Sequence, residues 1–595
     1  MASSSLTTSG ITSFVNSYRL TERNKIVAPL SNKKTLYQNK YSSYSEISSK
    51  LSSLKTLMAD FKLTGTDSVF AAKKATTSNS NFVSATVTKA ASVSAYQLFV
   101  SQLAKSDIAV SKDLNSADAN SITGTHSFIV KTGDGDTGEY ISNIDVTFES
   151  GETNQTVMEK IASAINADKA DVISNVKTAA TSYSGGTSTF TININGTETD
   201  VTVNGGGTYG DLIDEIVAQV NENVSGVTAT KTLDSPSTGD VKLQLSVEDS
   251  DDYITISSKS GFDVVTDLGI SVTKEKGASG IVTASVFSPS SGLSQFSVTS
   301  KNTGVDYRIK DLSDASGSAA LTQLGLNLGA TRTSYDQTSD PDTPGFLYSD
   351  ITSSSNLLNS KLTFNGISIQ NNSNNIDNLV SGVTFNLNSV MQGTDNNVNV
   401  SVANDVSVVK SKVEEFVTKF NDIYKYLKSG TSSVDGNRGN LISDSNANSL
   451  MQFFRSIAYS EVSGLPASSL KYLTQIGITF SSTDGLSVSD SSLLEKKITD
   501  NADQVESLFN SSSGIANLVY DKIDPYLGSG GYLALSQSSM DTSISYLTDK
   551  ISTAEKRIDK SAEVLRNKYQ VLQNQLSILL TSSNLFSSSS SDSYF

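Results

Sequence analysis

The chain has 595 residues, room for several domains, and sets 45 Lys+Arg against 61 Asp+Glu for a formal net charge of −16. That sign argues against a nucleic-acid partner, because phosphate neutralisation needs a cationic face. With no cysteine and a single histidine, His126, disulfides, thiolate metal sites, cysteine nucleophiles and multi-histidine metal sites are all excluded.

The N-terminal stretch MASSSLTTSGITSFVNSYRL has neither a basic n-region nor an apolar h-region, so it does not read as a cleaved secretory signal. A chain exported by a signal-independent route would look the same. No apolar run reaches the roughly 18 residues of a membrane span, so no membrane insertion is expected.

Residues 24–62 form the first helical block. Leu30, Tyr37, Tyr44, Leu51 and Met58 recur every seven positions, with Ile47, Leu54 and Phe61 three further on. Pro29 suits the opening of that helix, and Lys33 and Lys40 weaken the second seam position. Two readings stay open: a helix packed on a globular domain, or a coiled-coil leg whose first half is disordered until it meets partners.

Strand-like alternation follows over 64–112, as in Phe82–Val87 and Tyr96–Val100. From 113 to about 350 the chain is rich in Ser, Thr, Gly, Asn and Asp, with short alternating strands such as Ile144–Phe148, Phe190–Ile194 and Val241–Leu245. An internal echo lies inside it: Thr153, Val157, Ile161 and Asn166 align with Thr208, Leu212, Ile216 and Asn221. Each copy predicts a strand pair followed by a short amphipathic helix capped by its threonine. Residues 340–345 read as a linker, and 361–390 as strand, Asn-rich turn, short helix and strand. Helices are predicted over 405–428, 445–458, 491–510 and 513–527.

Near the C-terminus Ile544, Ile551, Ile558, Leu565, Leu572 and Leu579 repeat every seven residues, the signature of a helix with one narrow apolar seam and a length of roughly 50 Å at about 1.5 Å per residue. That seam closes either on the 30–61 block of its own chain or on another molecule. The tail Leu585-Phe586 followed by SSSSSDSYF reads as a flexible end.

Candidate chemistry is thin. The loop Gly133–Gly138 is carboxylate-rich but lacks the EF-hand ligand spacing, with Gly138 and Asp145 at the fifth and twelfth positions, and reads as a polar turn. Asp249 and Asp251 are close in sequence, which means little in so acidic a chain. His126 reads as a surface or turn residue, and Asn195-Gly196-Thr197 as an incidental match to a glycan acceptor. No nucleophile elbow, P-loop or dinucleotide fingerprint is present. The chain is read as a non-enzyme without catalytic residues, metal or cofactor.

Several stretches together resemble the flagellar filament cap, or hook-associated protein 2, family. The most specific is LTQIGITFSSTDGLSVSDSSLLEKKITDNADQVESLFN (473–510), with Ile476-Gly477-Ile478, Asp484-Gly485-Leu486, the Leu493–Ile498 helix and the ending Val505/Leu508/Phe509. SNNIDNLVSGVTFNLNSV (373–390), GYLALSQSSMDTSISYLTDKI (531–551), and Glu22 with Pro29 and the heptads to Phe61 follow in family order. The family's N-terminal GL-x-SGLD stretch is reduced here to SGITSF, and 225–350 carries no matching motif.

The resemblance implies an α+β multidomain chain: an N-terminal helical leg (1–62), a core domain in two segments (63–112 and 351–535), inserted strand-rich outer domains (113–350, with repeat units near 125–175 and 187–230) and a C-terminal coiled-coil leg with tail (536–595). It implies a homo-oligomeric ring, a pentamer or close to it, at the distal tip of the filament, outside the cell. Such a ring retains exported flagellin and promotes its folding and polymerisation. The implied partners are further copies of the chain, flagellin, hook–filament junction proteins and an export chaperone at the C-terminal region. Leu51, Leu54, Met58 and Phe61, with Ile544, Ile551, Ile558, Leu565, Leu572 and Leu579, would then form the leg-pairing and filament interface. Competing readings are a surface adhesin binding host glycans or mucin through the outer domains, a flagellin-like filament subunit, and a hydrolase.

Overall fold

Thr7 opens the first helix, its hydroxyl accepting a hydrogen bond from Gly10 N–H at 3.2 Å. The computed structural model describes residues 7–588 apart from 236, 353–355 and 435–436, so Pro236 and the Ser589–Phe595 tail lie outside the described residues. Two units result: a helical one of the residues up to 74, 88–90 and those from 403 on, and a strand-rich one of 75–87 and 91–402. The terminal legs therefore belong to the same unit as most of the core domain, whereas 351–402 belongs with the strands.

In the helical unit the first helix runs Thr8–Glu22, passes through a π turn at Arg23–Val27 and continues as Ala28–Lys62. The helix thus reaches well upstream of Pro29. Proline has no N–H to give, and its ring would press on the Lys25 carbonyl four residues back. The wider turn, with Ala28 N–H donating to Arg23 O, relieves that clash without ending the helix.

Val409, Val413, Phe416, Phe420, Ile423 and Leu427 all point inward from helix Val406–Thr431. The predicted 491–510 helix is two, Ser491–Asp500 and Ala502–Asn510, and the last short helix is Ile515–Ile523. These pack with Ser445–Ile457 and the inner half of Ala28–Lys62 around one core. The C-terminal helix, Tyr532–Ser588, is a single element of 57 residues.

The strand-rich unit has three cores. One underlies a sheet ordered Lys73–Thr77, Val398–Asn404, Ser94–Gln102, Ser360–Phe364, Ile367–Asn371, beside a three-stranded sheet of Val83–Val87, Val383–Leu387 and Asn375–Val380. Asn375–Val380 is a strand where a short helix was predicted: Ile376 pairs with Phe385 across the ladder and is buried. Asn365-Gly366, at φ 48° and 88°, closes a two-residue hairpin, the backbone that Asn-Gly favours.

The other two cores belong to two copies of one module, one nested inside the other. The outer copy has hairpin Gly124–Gly133/Glu139–Phe148, helix Asn154–Ala167, hairpin Val282–Phe287/Leu293–Thr303, strand Ile309–Asp314 and short helix Ala320–Leu324. The inner copy repeats that order: Ser188–Ile194/Thr197–Val203, Tyr209–Asn223, Val227–Ser235/Asp240–Val247, Tyr253–Gly261 and Val264–Leu268.

The equivalence extends to single hydrogen bonds. Asn166 clips the backbone of Ala284, and Asn221 that of Ala229, each donating to the carbonyl and accepting from the N–H at 2.7–2.9 Å. Ser111 Oγ accepts from Phe296 N–H, and Ser174 Oγ from Leu243 N–H, both at 2.9 Å. The short helices end on Gly325 and Gly269, both left-handed. The inner copy sits between residues 167 and 282, so the repeat is larger than predicted and its outer half is discontinuous. Strand Glu275–Lys276 joins the two three-stranded halves into one seven-stranded sheet, antiparallel to Tyr253–Gly261 and parallel to Glu139–Phe148. The predicted linker 340–345 is instead packed: Asp342 accepts from Gln295 Nε2 at 2.6 Å, and strand Gly345–Phe346 pairs with Val110 and Ala109.

Candidate functional site

The helical unit projects a two-helix stem. Thr8–Lys62 and Tyr532–Ser588 run antiparallel, with Arg19 opposite Asp559 at 3.3 Å, Arg23 opposite Glu555 at 2.7 Å, and Gln537 Nε2 donating to Ser45 Oγ at 2.8 Å. The seam is apolar but thin. Leu547, Ile558 and Ala562 are buried, Ile544, Ile551 and Leu565 half-buried, and Ile11 and Val15 face Ala562 with Tyr18, Leu565 and Tyr569 around them. Phe14 meets Tyr569 edge-on with ring centroids 5.1 Å apart. The proximal seam residues therefore close on their own chain.

The ten residues singled out from the heptads separate into three groups. Leu51, Leu54, Met58 and Phe61 are each 0% exposed, inside the core of their own unit. Phe61 stacks on Phe509, centroids 4.9 Å apart, and Phe509 in turn meets Phe416. A heptad reports a seam and not its partner, and here helices of the same chain fill it. Ile544, Ile551, Ile558 and Leu565 hold the stem together. Leu572 and Leu579 are 51% and 67% exposed.

Val571, Leu576, Ile578 and Leu580 are exposed beside them, and Val564 one heptad earlier. At about 100° per residue, Leu572, Leu576 and Leu579 prolong the seam, while Val564, Val571 and Ile578 make a second stripe next to it. The distal third of the helix thus carries a broad apolar face that no other described residue covers. The second stripe is visible in the sequence as apolar pairs every seventh residue: 564/565, 571/572 and 578/579.

At the stem's root, buried Tyr44 donates to the Asp444 carboxylate, 2.8 Å from Oδ1 and 2.7 Å from Oδ2. Asp444 also caps helix Ser445–Ile457, accepting from Ala447 N–H, and Lys40 lies 3.6 Å away. Burial first, then the hydrogen bond to Asp444 and its charge, push the Tyr44 phenol up to about 12. Asn446 Nδ2 donates to Ser536 Oγ, so one polar cluster joins both stem helices to helix Ser445–Ile457 of the same unit.

The remaining sequence candidates are structural. Asp134, in the Gly133–Gly138 loop, pairs with Lys274 at 3.0 Å and accepts from Asp136 N–H. Asp249 accepts from Asp251 N–H in a turn, and Asp251 lies 3.9 Å from Lys301. His126 Nδ1 accepts from Ala319 N–H, leaving Nε2–H to donate to Thr123 O. Asn195-Gly196 turns a hairpin with φ 50° and 88°. Among the described residues no group of three or more Asp, Glu or His is placed to hold a metal ion. No described helix is long and apolar enough to cross a membrane.

Family models for the hook-associated protein 2 N-terminus and C-terminus match residues 9–107 and 358–580, which include the stem and the helical unit's core. The chain belongs to the flagellar hook-associated protein 2 family. Relatives include the A-type flagellar hook-associated protein 2 of Pseudomonas aeruginosa, 24% identical over 344 residues that cover 53% of this chain and 68% of that one. The flagellar hook-associated protein 2 of Escherichia coli K12 is 26% identical over 384 residues, 62% of this chain and 76% of that one. A solved structure of the D1-D2-D3 domains of the Escherichia coli flagellar cap protein aligns with TM-score 0.47 and 19% identity, covering 84% of this chain and 99% of that one.

In this chain the 473–510 motif is a packing device. Gly485 (φ 86°) and Gly477 (φ 80°) sit where a side chain would run into Asn421 and the Asp490 carbonyl respectively. Asn421 clips Leu486 by two hydrogen bonds of 2.7 Å, and Leu494, Ile498, Val505, Leu508 and Phe509 fill the core. Both nested modules fall within 108–357, between the two matched segments.

Proposed function

We propose that this chain is a distal cap of the flagellar filament: copies assemble as a ring at the tip, outside the cell, and hold arriving flagellin while it folds into the lattice. The observation that carries the reading, beside family membership, is the uncovered double stripe at the far end of the stem. Each of its Leu, Ile and Val side chains is 40–67% exposed, so covering them offers roughly 1–2 kcal/mol apiece before association costs. A monomer gains nothing from such a face. A face two stripes wide suits more than one neighbouring helix, as a stem inserted among copies of itself and flagellin would meet.

The finer assignments are a ring of five or close to it, contact with hook–filament junction proteins, capture of the C-terminal region by an export chaperone, and export without a cleaved signal. Family membership favours capping over the glycan-binding adhesin and the flagellin-like subunit. The function is non-enzymatic in this reading.

The test is complementation of a cap-deficient cell. The wild-type chain restores filaments. The Leu572→Asp/Leu579→Asp variant leaves folding intact, fails to restore them, and releases monomeric flagellin into the medium. Normal filaments from the double variant would remove the stem tip from the mechanism.

A further inference from the structure

Beside the short strand that joins the nested modules lies a cavity of about 150 Å³. Its polar lining includes Thr132, Asp134, Tyr140, Lys276, Asn302 and Tyr307. Most of the charged groups around it have a direct partner. Asp134 has Lys274 at 3.0 Å, Asp251 has Lys301 at 3.9 Å, and Asp252 accepts from Asn195 Nδ2. The backbone of Lys276 pairs with Tyr253 in the sheet, but its ammonium has no hydrogen bond or ion pair among the described residues. Its ammonium lies 5.1 Å from the centroid of the Tyr140 ring. A half-buried ammonium with three donors and no acceptor is costly, and water can solvate it but not neutralise it. Burial accordingly holds this lysine below its ordinary pKa despite the nearby Asp251 and Asp252 carboxylates.

We propose that this cavity binds a small tetrahedral oxyanion of the phosphate or sulfate class, with Lys276 as the charged anchor and the Tyr140 and Tyr307 hydroxyls and Asn302 carboxamide as neutral donors. A cavity of this size accommodates a ligand of about six heavy atoms, enough for the free ion. Asp134 faces the same space, but its charge is answered by Lys274. Because Lys276 belongs to strand Glu275–Lys276, an occupant would tie the return crossing of the inner module to the hairpin of the outer one.

Lysine acetylation of the full chain under limiting acetic anhydride, read residue by residue by mass spectrometry, tests this on the unaltered protein. At ten times its dissociation constant, inorganic phosphate should slow acetylation of Lys276 about tenfold relative to chloride of equal ionic strength, while exposed Lys496 is unaffected. Protection by glycerol phosphate as strong as that by the inorganic ion would assign the same site to the terminal group of an ester. In ³¹P spectra of free phosphate, wild type and Lys276→Arg should broaden the line and Lys276→Met should not. An acetylation rate of Lys276 unchanged across the phosphate titration, or broadening that persists in Lys276→Met, overturns the proposal.

Discussion

Truncating Phe61 separates a core heptad from an interface heptad. The side chain is 0% exposed and lies among Phe70 and Phe509, with ring centroids at 5.6 and 4.9 Å. Phe61→Ala removes a whole ring from a site whose walls belong to three different segments, which limits collapse around the hole. The expected cost is about 3–5 kcal/mol, transfer and cavity terms together, a change of more than a hundredfold in the folding equilibrium. Phe61→Leu, which refills most of the volume, should cost about 1–2 kcal/mol. Urea unfolding followed by far-UV circular dichroism reads the helical unit, and the midpoint should fall with an unchanged slope. If Phe61→Ala leaves the midpoint in place and instead abolishes self-association, the residue faces another molecule and the core assignment fails.

Tyr44→Phe deletes the hydroxyl on buried Asp444 and should destabilise the helical unit by about 1–3 kcal/mol; a loss below about 0.5 kcal/mol would contradict the polar cluster at the stem's root. Asn166→Ala and Asn221→Ala should each cost about 1–3 kcal/mol in thermal or urea melts, and the double variant should show their sum within about 0.5 kcal/mol, since the clips serve separate cores; strong coupling would deny the two copies their independence. Burial, against opposing hydrogen bonds from Ser142 and Ala278 N–H, pushes the Asp168 carboxyl up to about 6 from 3.8. The unfolded chain therefore ionises first, so this group's contribution is full below about pH 4, is lost as pH rises towards about 6, and changes little above, by about 3 kcal/mol in all. Burial raises the Glu275 carboxyl in the same direction, so Asp168→Asn should flatten part of the fall in strand-unit stability over that window; an unchanged slope would contradict it.

The helices and the terminal seam were legible because 3.6- and 3.5-residue periods survive whatever they pack against. Partner identity was not: Leu51, Leu54, Met58 and Phe61 carry the same spacing whether the opposite wall is Phe509 of the same chain or another molecule. The echo of Thr153 and Asn166 in Thr208 and Asn221 exposed a duplication. Its nesting was hidden because the hydrogen-bond partners of Asn166 lie 118 residues away, across the whole inner copy. Asn375–Val380 misled for a local reason, since an Asn-rich approach to an apolar triplet suits a helix start as well as an edge strand. The widened distal face was readable in the apolar pairs, but its exposure depends on what lies opposite it, and spacing alone does not show that.

Electron microscopy of the purified full-length chain bears most directly on assembly through the stem tip. Small rings with stems projecting from a plate, single or stacked, are the expected particles, and Leu572→Asp/Leu579→Asp should stop assembly that proceeds through the stems. A wild-type chain that stays a monodisperse monomer across concentration and salt would contradict the account.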